Sequence, residues 1–373
     1  MTRPSQEFDM GVAENIIDVP RGLDGVVVDT THISNVDGIA GELSYRGVGV
    51  DELVEQSFSE VATLVSLGRV DTELAALLDA GVALSDADRN LIDAVSSSLH
   101  PMHVLQGVLP LLDTGGPFDQ HSEQGIAFNL AAKIPEVLAL QFSRETGRHM
   151  GPVSNQTYNG RFLDWIDAPR DDVSRRSFEI MQILQMEHSF NASAYAARVV
   201  ASTLAPIQNT LAAGIGTLHG VLHGGADQAA LETADRVGTP QRAADFVDAC
   251  ISNGDKVMGM GHREYRVVDP RAKYAKRLAR EVTENTPHYQ TFLTLEAIEA
   301  RFTERMAEKN KSLYANIEFY KGVIFRVLGL PTHYFTAMFA MARVYGYIAH
   351  VLESRIDNRL IRPAARYVPA GDG

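Results

Sequence analysis

The stretch KVMGMGHREYRVVDPR, Lys256–Arg271, decides how the chain reads. Gly259-Met260-Gly261 makes a turn that presents His262, and glycine, lacking a Cβ, lets the backbone approach a ligand closely. Lys256 precedes the histidine; Arg263, Arg266 and Arg271 follow it. Asp269-Pro270 stops any helix there, because proline restricts the residue before it. A histidine on a glycine turn among cations reads as a site that handles an anion and moves a proton.

Around this stretch lie 373 residues, 45% of them hydrophobic, enough for a large core and for two domains rather than one. The formal net charge of −13 argues against nucleic acid as a general partner, since phosphate binding needs basic surface. Clustered arginines then point to a small anion. The single Cys250 excludes a disulfide framework and a cysteine zinc site. No long uncharged apolar run reads as a membrane span. Residues 1–20, with Glu7, Asp9, Glu14 and Asp18, read as a loose tail without a secretory signal, so the expected location is cytoplasmic.

From Val50 onward, apolar residues recur at three- and four-residue intervals. The pattern predicts a helix from Val50 to a stop at Gly68, longer helices over Ser122–Arg144 and Asp171–Glu187, and one through EHSFNASAYAARVVASTLAP, 187–206. A helix apolar nearly all round is predicted over 332–354. The Val26–Val28 run in GLDGVVVDTTHISNVDG predicts a short strand or hairpin, continued through Gly41–Gly47. The expected class is mainly α, multihelical, with a minor β element near the N-terminus.

Several side chains carry chemistry. Arg343 sits mid-helix in FTAMFAMARVYGYIAHV, where a lone buried guanidinium is costly unless paired. Its partner is either a buried acid or a carboxylate-bearing ligand. His350 reads as a hydrogen-bonded core histidine. His219 and His223 have the four-residue spacing of a metal pair, but HExxH is absent and Gly224-Gly225 interrupts the helix. The competing reading puts His223 at a helix entrance, aimed at a substrate. His188 reads as a helix histidine, structural or part of a polar pocket with Asn191 and Ser193. Glu318, between Ile317 and Phe319, is a base or a partner for Arg343; Asn316 beside it contacts a ligand or caps a turn. Arg362, before Pro363, has extended backbone and reads as a surface charge on its own.

Taken in order, GLDGVVVDTT, GELSYRGV, EHSFNAS, LHGGAD, MGMGHREYRVVDPRA, NIEFYKGV, FAMARVYGYIAHVLE and RLIRPAARY resemble the citrate synthase family from about Gly22 to Tyr367. The resemblance implies a mostly helical homodimer and an acyltransferase that converts the acyl group to alkyl on transfer. The reaction implied is condensation of acetyl-CoA with oxaloacetate, then hydrolysis to citrate and CoA, as in the tricarboxylic acid cycle. It implies a large domain from 1–221 and 324–373, and a mobile small domain from 222–323 on the CoA side. By resemblance, His223 stabilises the enol of the thioester, His262 serves the ketone of oxaloacetate, and His188, Arg271, Arg343 and Arg362 bind oxaloacetate, Arg362 from across the dimer interface. Lys256, Val257, Met258, Gly259, Met260, Arg266 and Asn316 match positions that contact CoA. No metal and no permanently bound cofactor is implied.

One departure concerns the base, usually an aspartate in a PNVD-type segment; here the segment is Ala315-Asn316-Ile317-Glu318. Glutamate keeps the chemistry but adds a methylene, and a misplacement of about 1 Å costs roughly 100-fold. A displaced backbone, a pocket matched to glutamate, a slow enzyme and a different acyl substrate all remain open. His219 and Val221 also stand where small residues or proline are common. The alternatives carried forward are 2-methylcitrate synthase acting on propionyl-CoA and a non-catalytic binder of CoA esters or dicarboxylates.

Overall fold

Every residue from Phe335 to Val351 is buried, in one helix that runs from Phe335 to Ser354. The computed structural model describes residues 17–367, and the helices Phe58–Leu67, Glu123–Thr146, Asp172–Gln185, Ala192–Ser202 and Ile207–Leu218 enclose this central helix. By length and composition it could cross a membrane, yet its apolar surface is spent on the protein's own core. Aromatic rings fix its packing: Phe58 stacks on Tyr158 at 5.0 Å, and Tyr345 meets both edge-on at 5.6 and 5.7 Å.

A second group of helices, Ala226–Val237, Ala243–Asn253, Ala272–Thr283, Tyr289–Glu308 and Ile317–Val327, packs chiefly on itself. Helix Asp172–Gln185 touches both groups. The two sets meet where His188, His223, His262 and Glu318 lie.

The β element is a three-stranded antiparallel sheet, β1 (Ser34–Asp37), β2 (Glu42–Tyr45) and β3 (Val48–Gly49). Ser34 pairs with Tyr45 and Val36 with Leu43, and alternation buries Leu43 and Tyr45 on one face. The predicted valine strand is not in it. Val27 and Val28 are exposed and irregular, and the first strand starts downstream at Ser34. A valine run has strand propensity, but without a partner ladder or a face to bury, propensity alone builds nothing.

Two helix expectations also change. The predicted Val50–Leu67 helix is two, Val50–Leu53 and Phe58–Leu67. Ser57 restarts it with a capping box, accepting from the Glu60 N–H while the Glu60 side chain accepts from its own. The helix predicted over 187–206 begins only at Ala192, because Ser189 takes a left-handed φ of 52° and Asn191 caps the N–H groups of Ser193 and Ala194. His188 is therefore on a turn, not in a helix.

The sheet holds that turn in place. Tyr45 Oη donates toward the carbonyls of Ile183 and Leu184 (3.2 and 3.1 Å). Ser34 Oγ reaches Glu187 Oε1 (3.1 Å) and accepts from the Ser189 N–H (2.9 Å). At the β1–β2 turn, Gly38 O accepts from the Arg266 N–H at 2.7 Å, tying the sheet to the His262 loop.

Gly346 lets the central helix approach the His188 turn, since a Cβ there would stand 2.5 Å from Glu187 Oε2 and 2.6 Å from Met186 O. Gly346→Ala is expected to lower the melting temperature by about 2–10 °C, the range for overpacking a core of this size. An unchanged melt would contradict the close backbone approach.

Candidate active site

Two glycines in the left-handed region set the His262 loop. Gly259 and Gly261 both have positive φ, 79° and 87°, and a Cβ on Gly259 would meet the Phe319 ring at 2.8 Å. The loop is pinned to the 314–316 segment by Gly261 N–H to Tyr314 O (2.7 Å) and Asn316 N–H to Gly259 O (3.0 Å). Asn316 then caps helix Ile317–Val327, its Oδ1 accepting from the Glu318 N–H (2.9 Å) and its Nδ2 donating to Gly261 O (2.9 Å). Thus the loop carrying His262 and the helix carrying Glu318 are one construction.

His262 Nδ1 accepts from the backbone N–H groups of Glu264 (3.0 Å) and Tyr265 (3.2 Å). A backbone N–H can only donate, so the ring proton is on Nε2, which becomes a donor. His223 is set similarly. Its Nε2 lies 2.7 Å from Ser193 Oγ and 3.4 Å from the Ser193 N–H, so Ser193 fixes the orientation of the ring. Burial, then Arg343, pulls His223 down to about 4; burial, then Arg271, pulls His262 down to about 4. The Glu318 carboxylate opposes both shifts, so it stands within electrostatic reach of both rings. At neutral pH both histidines are uncharged donors.

His188 joins them. Its ring centroid is 5.4 Å from that of His262, and its Nε2 lies 3.2 Å from Tyr265 Oη. Burial, with Arg271, His262 and Arg343 around it, holds its pKa far below the usual imidazole value.

The two buried arginines differ. Arg271 is clamped by Asp269 through Nε and Nη2, both at 2.9 Å, and the pair drives its pKa up against desolvation. Asp269 Oδ2 also accepts from the Ile317 N–H (3.2 Å), so this carboxylate ties Arg271 to the Glu318 helix. Arg343 has one hydrogen bond among the described residues, Nε to Gln185 O at 2.7 Å, and lies 4.6 Å over the Phe339 ring. Burial pulls its pKa down and Glu187 offsets this in part. Its two Nη groups have no protein partner among the described residues, which suits a carboxylate from a ligand.

Known proteins resemble this chain over nearly its whole length. The model of the citrate synthase C-terminal domain matches residues 22–364. The chain is 31% identical over 366 residues to citrate synthase of Deinococcus radiodurans, covering 95% of this chain and 97% of that protein. It is 32% identical over 368 residues to 2-methylcitrate synthase 1 of Corynebacterium glutamicum, covering 94% and 95%. Among solved structures, citrate synthase from Pyrobaculum aerophilum superposes with a TM-score of 0.85 at 32% identity, covering 96% of this chain and 95% of that one.

The chain belongs to the citrate synthase family.

Within that family frame, the predicted residues fall into two sets. His188, His223, His262, Arg271, Arg343 and Glu318 are brought together. Arg362 is exposed on the C-terminal tail and makes no hydrogen bond or ion pair with another described residue. Of the expected CoA residues, Lys256 and Arg266 are exposed, while the Val257 side chain is buried in the apolar core. Asn316 spends its side chain on the cap and on Gly261. His219 and His223 do not form a pair. The helix ends at Leu218, and His219 stacks on His100 at 4.4 Å while His223 turns to Ser193. Glu318 is not the partner of Arg343; its partner is Lys321, at 2.6 Å. His350 is a core histidine as read, accepting from Arg198 Nε at 2.9 Å and meeting Glu187 at 3.1 Å.

Sequence reading missed Ser193 as the ring partner of His223, and missed Asp269, Asp227 and Lys321. Asp269 had a signal, two residues before Arg271. Lys321 had one too, three residues after Glu318 on the same helix face.

His223 and His262 titrate near 4 when folded, against about 6.5 for free imidazole. Between those values the unfolded chain binds more protons, so their contribution is complete above about pH 6.5 and is lost as pH falls toward 4. The melting temperature of His223→Gln/His262→Gln should therefore drop less between about pH 7 and about pH 4.5 than that of the unsubstituted protein. An equal drop would show that these rings are not held neutral by burial.

Proposed function

We propose that the protein condenses acetyl-CoA with oxaloacetate and hydrolyses the acyl-CoA intermediate, giving citrate and CoA. The observation that carries this reading is the pair of neutral histidines within electrostatic reach of one carboxylate, beside the buried Arg271 and Arg343. Removing a proton α to a thioester needs a base and a donor on the developing enolate oxygen. Glu318 takes the proton and His223 Nδ1–H donates to the thioester oxygen. His262 Nε2–H donates to the ketone, polarising it for attack. Neutral donors suit both oxygens, because an imidazolium would repel the neighbouring arginines and a deprotonated ring nitrogen could not donate. Arg271, Arg343 and His188 hold the oxaloacetate carboxylates; the free Nη groups of Arg343 offer the planar fork that a carboxylate matches.

The exposed Lys256 and Arg266 receive the phosphates of CoA, and the backbone of Val257–Met260 flanks its adenine and pantetheine. Residues 222–323 act as the moving small domain over a body made of 1–221 and 324–373. The helices between Ala226 and Val327 pack chiefly on one another, which supports that division. Closure excludes water during condensation and admits it for hydrolysis. The protein works as a cytoplasmic homodimer, and Arg362, unpartnered within the described residues of its own chain, reaches the partner's site.

A thiol-release assay with each acyl-CoA tests the reading. CoA release should require oxaloacetate, and kcat/KM should favour acetyl-CoA over propionyl-CoA. The margin expected for one methylene in a pocket is about 10- to 200-fold. A clear preference for propionyl-CoA would make the protein a 2-methylcitrate synthase, a name its relatives carry at similar identity. Tight oxaloacetate binding with no thiol released would make it a binder.

A further inference from the structure

Lys321 has no exposed surface, yet its Nζ lies 2.6 Å from Glu318 Oε2, 3.2 Å from Asp227 Oδ2 and 3.1 Å from Gln185 Oε1. The Phe339 ring closes the remaining side, with its centroid 4.7 Å from the ammonium. A buried ammonium without counter-charge is very costly. Here two carboxylates outweigh desolvation and keep it charged, while burial raises the pKa of Asp227 against the pull of the lysine. Both carboxylates thus stand at ion-pair distance from one buried ammonium.

A lysine needed only to balance Asp227 would not have to reach Glu318, whose side chain is 15% exposed. Glu318 and Lys321 lie one turn apart on helix Ile317–Val327, so their pairing draws the carboxylate back along its own helix. Asp227 lies four residues beyond His223, in the first turn of helix Ala226–Val237. Lys321 thus links the elements that carry the base and the enolate donor. Gln185 extends the link, since its side chain accepts from Lys321 and its carbonyl from Arg343.

We propose that Lys321, with Asp227 as counter-ion, is a positioning residue that sets where the Glu318 carboxylate stands relative to His223. The proposal rests on Glu318 serving as the base of the condensation. Glutamate, lysine and aspartate at 318, 321 and 227 then form one unit, and shortening the base is harmful only while the lysine retracts it.

The test is a kinetic cycle on the full chain. The charge-balanced variant Lys321→Met/Asp227→Asn is measured with and without Glu318→Asp. In the native background Glu318→Asp should lower kcat about 100-fold. Lys321→Met/Asp227→Asn should lower kcat at least about tenfold while KM for oxaloacetate changes by less than about twofold, since the arginines are untouched. In that background Glu318→Asp should raise kcat, or cost at least about tenfold less than in the native one. An equal cost in both backgrounds overturns the proposal. Should the double variant fail to fold, Lys321→Gln, which retains hydrogen-bond donors without charge, is put through the same cycle with the same criteria. Native protein that releases no thiol overturns the condensing reading and the proposal together; active native protein with an additive cycle overturns the role of Lys321 alone.

Discussion

The constraint on which the rest of the structure depends is the burial of cations inside an apolar helical core. Arg271, Arg343 and Lys321 are all nearly or wholly withdrawn from water. Each unpaired would cost several kcal/mol. The fold answers differently in each case. Asp269 clamps Arg271 bidentately, Asp227 and Glu318 share Lys321, and Arg343 receives one backbone carbonyl and an aromatic face. Of the three, Arg343 is left the least satisfied, with its Nη groups unpartnered among the described residues where the two helical groups meet.

The same positive field governs the histidines. Their depressed pKa values follow from burial first and from neighbouring arginines second. Of the three, His262 has its tautomer set by backbone N–H groups, which leaves its Nε2–H a donor of fixed direction. The small N-terminal sheet contributes by holding the His188 turn through Ser34 and Tyr45 and the His262 loop through Gly38. It is remote in sequence from both, and its value is as a clamp.

Much of this was legible in the sequence because it is local. The Gly259-Met260-Gly261 turn, the Asn316 cap and the apolar run around Arg343 each declare themselves within a few residues. The break before Ala192 was also written locally, in the cap Asn191, but the alanine-rich pattern beyond it masked the signal. The valine run misled because strand formation depends on a partner, and the ladder chose Ser34–Asp37 instead. His219 and His223 separated for the same kind of reason: four-residue spacing places side chains together only while the helix lasts, and it ends at Leu218. Ser193 against His223 and Asp227 against Lys321 are long-range meetings, and no spacing rule reaches across 30 or 94 residues. Glu318 was read as a departure from the aspartate that the resemblance implies, while its counter-ion Lys321, three residues on, was not read with it.

In the proposed reaction Glu318 removes the proton α to the thioester once a four-carbon dicarboxylate is in place. Exchange of the acetyl-CoA methyl protons with deuterated water, followed by NMR with unreactive malate standing in for oxaloacetate, reads that step without condensation. Malate-dependent exchange is expected in the native protein, and its loss in Glu318→Gln, with malate still bound. Exchange that persists in Glu318→Gln at the native rate would contradict it.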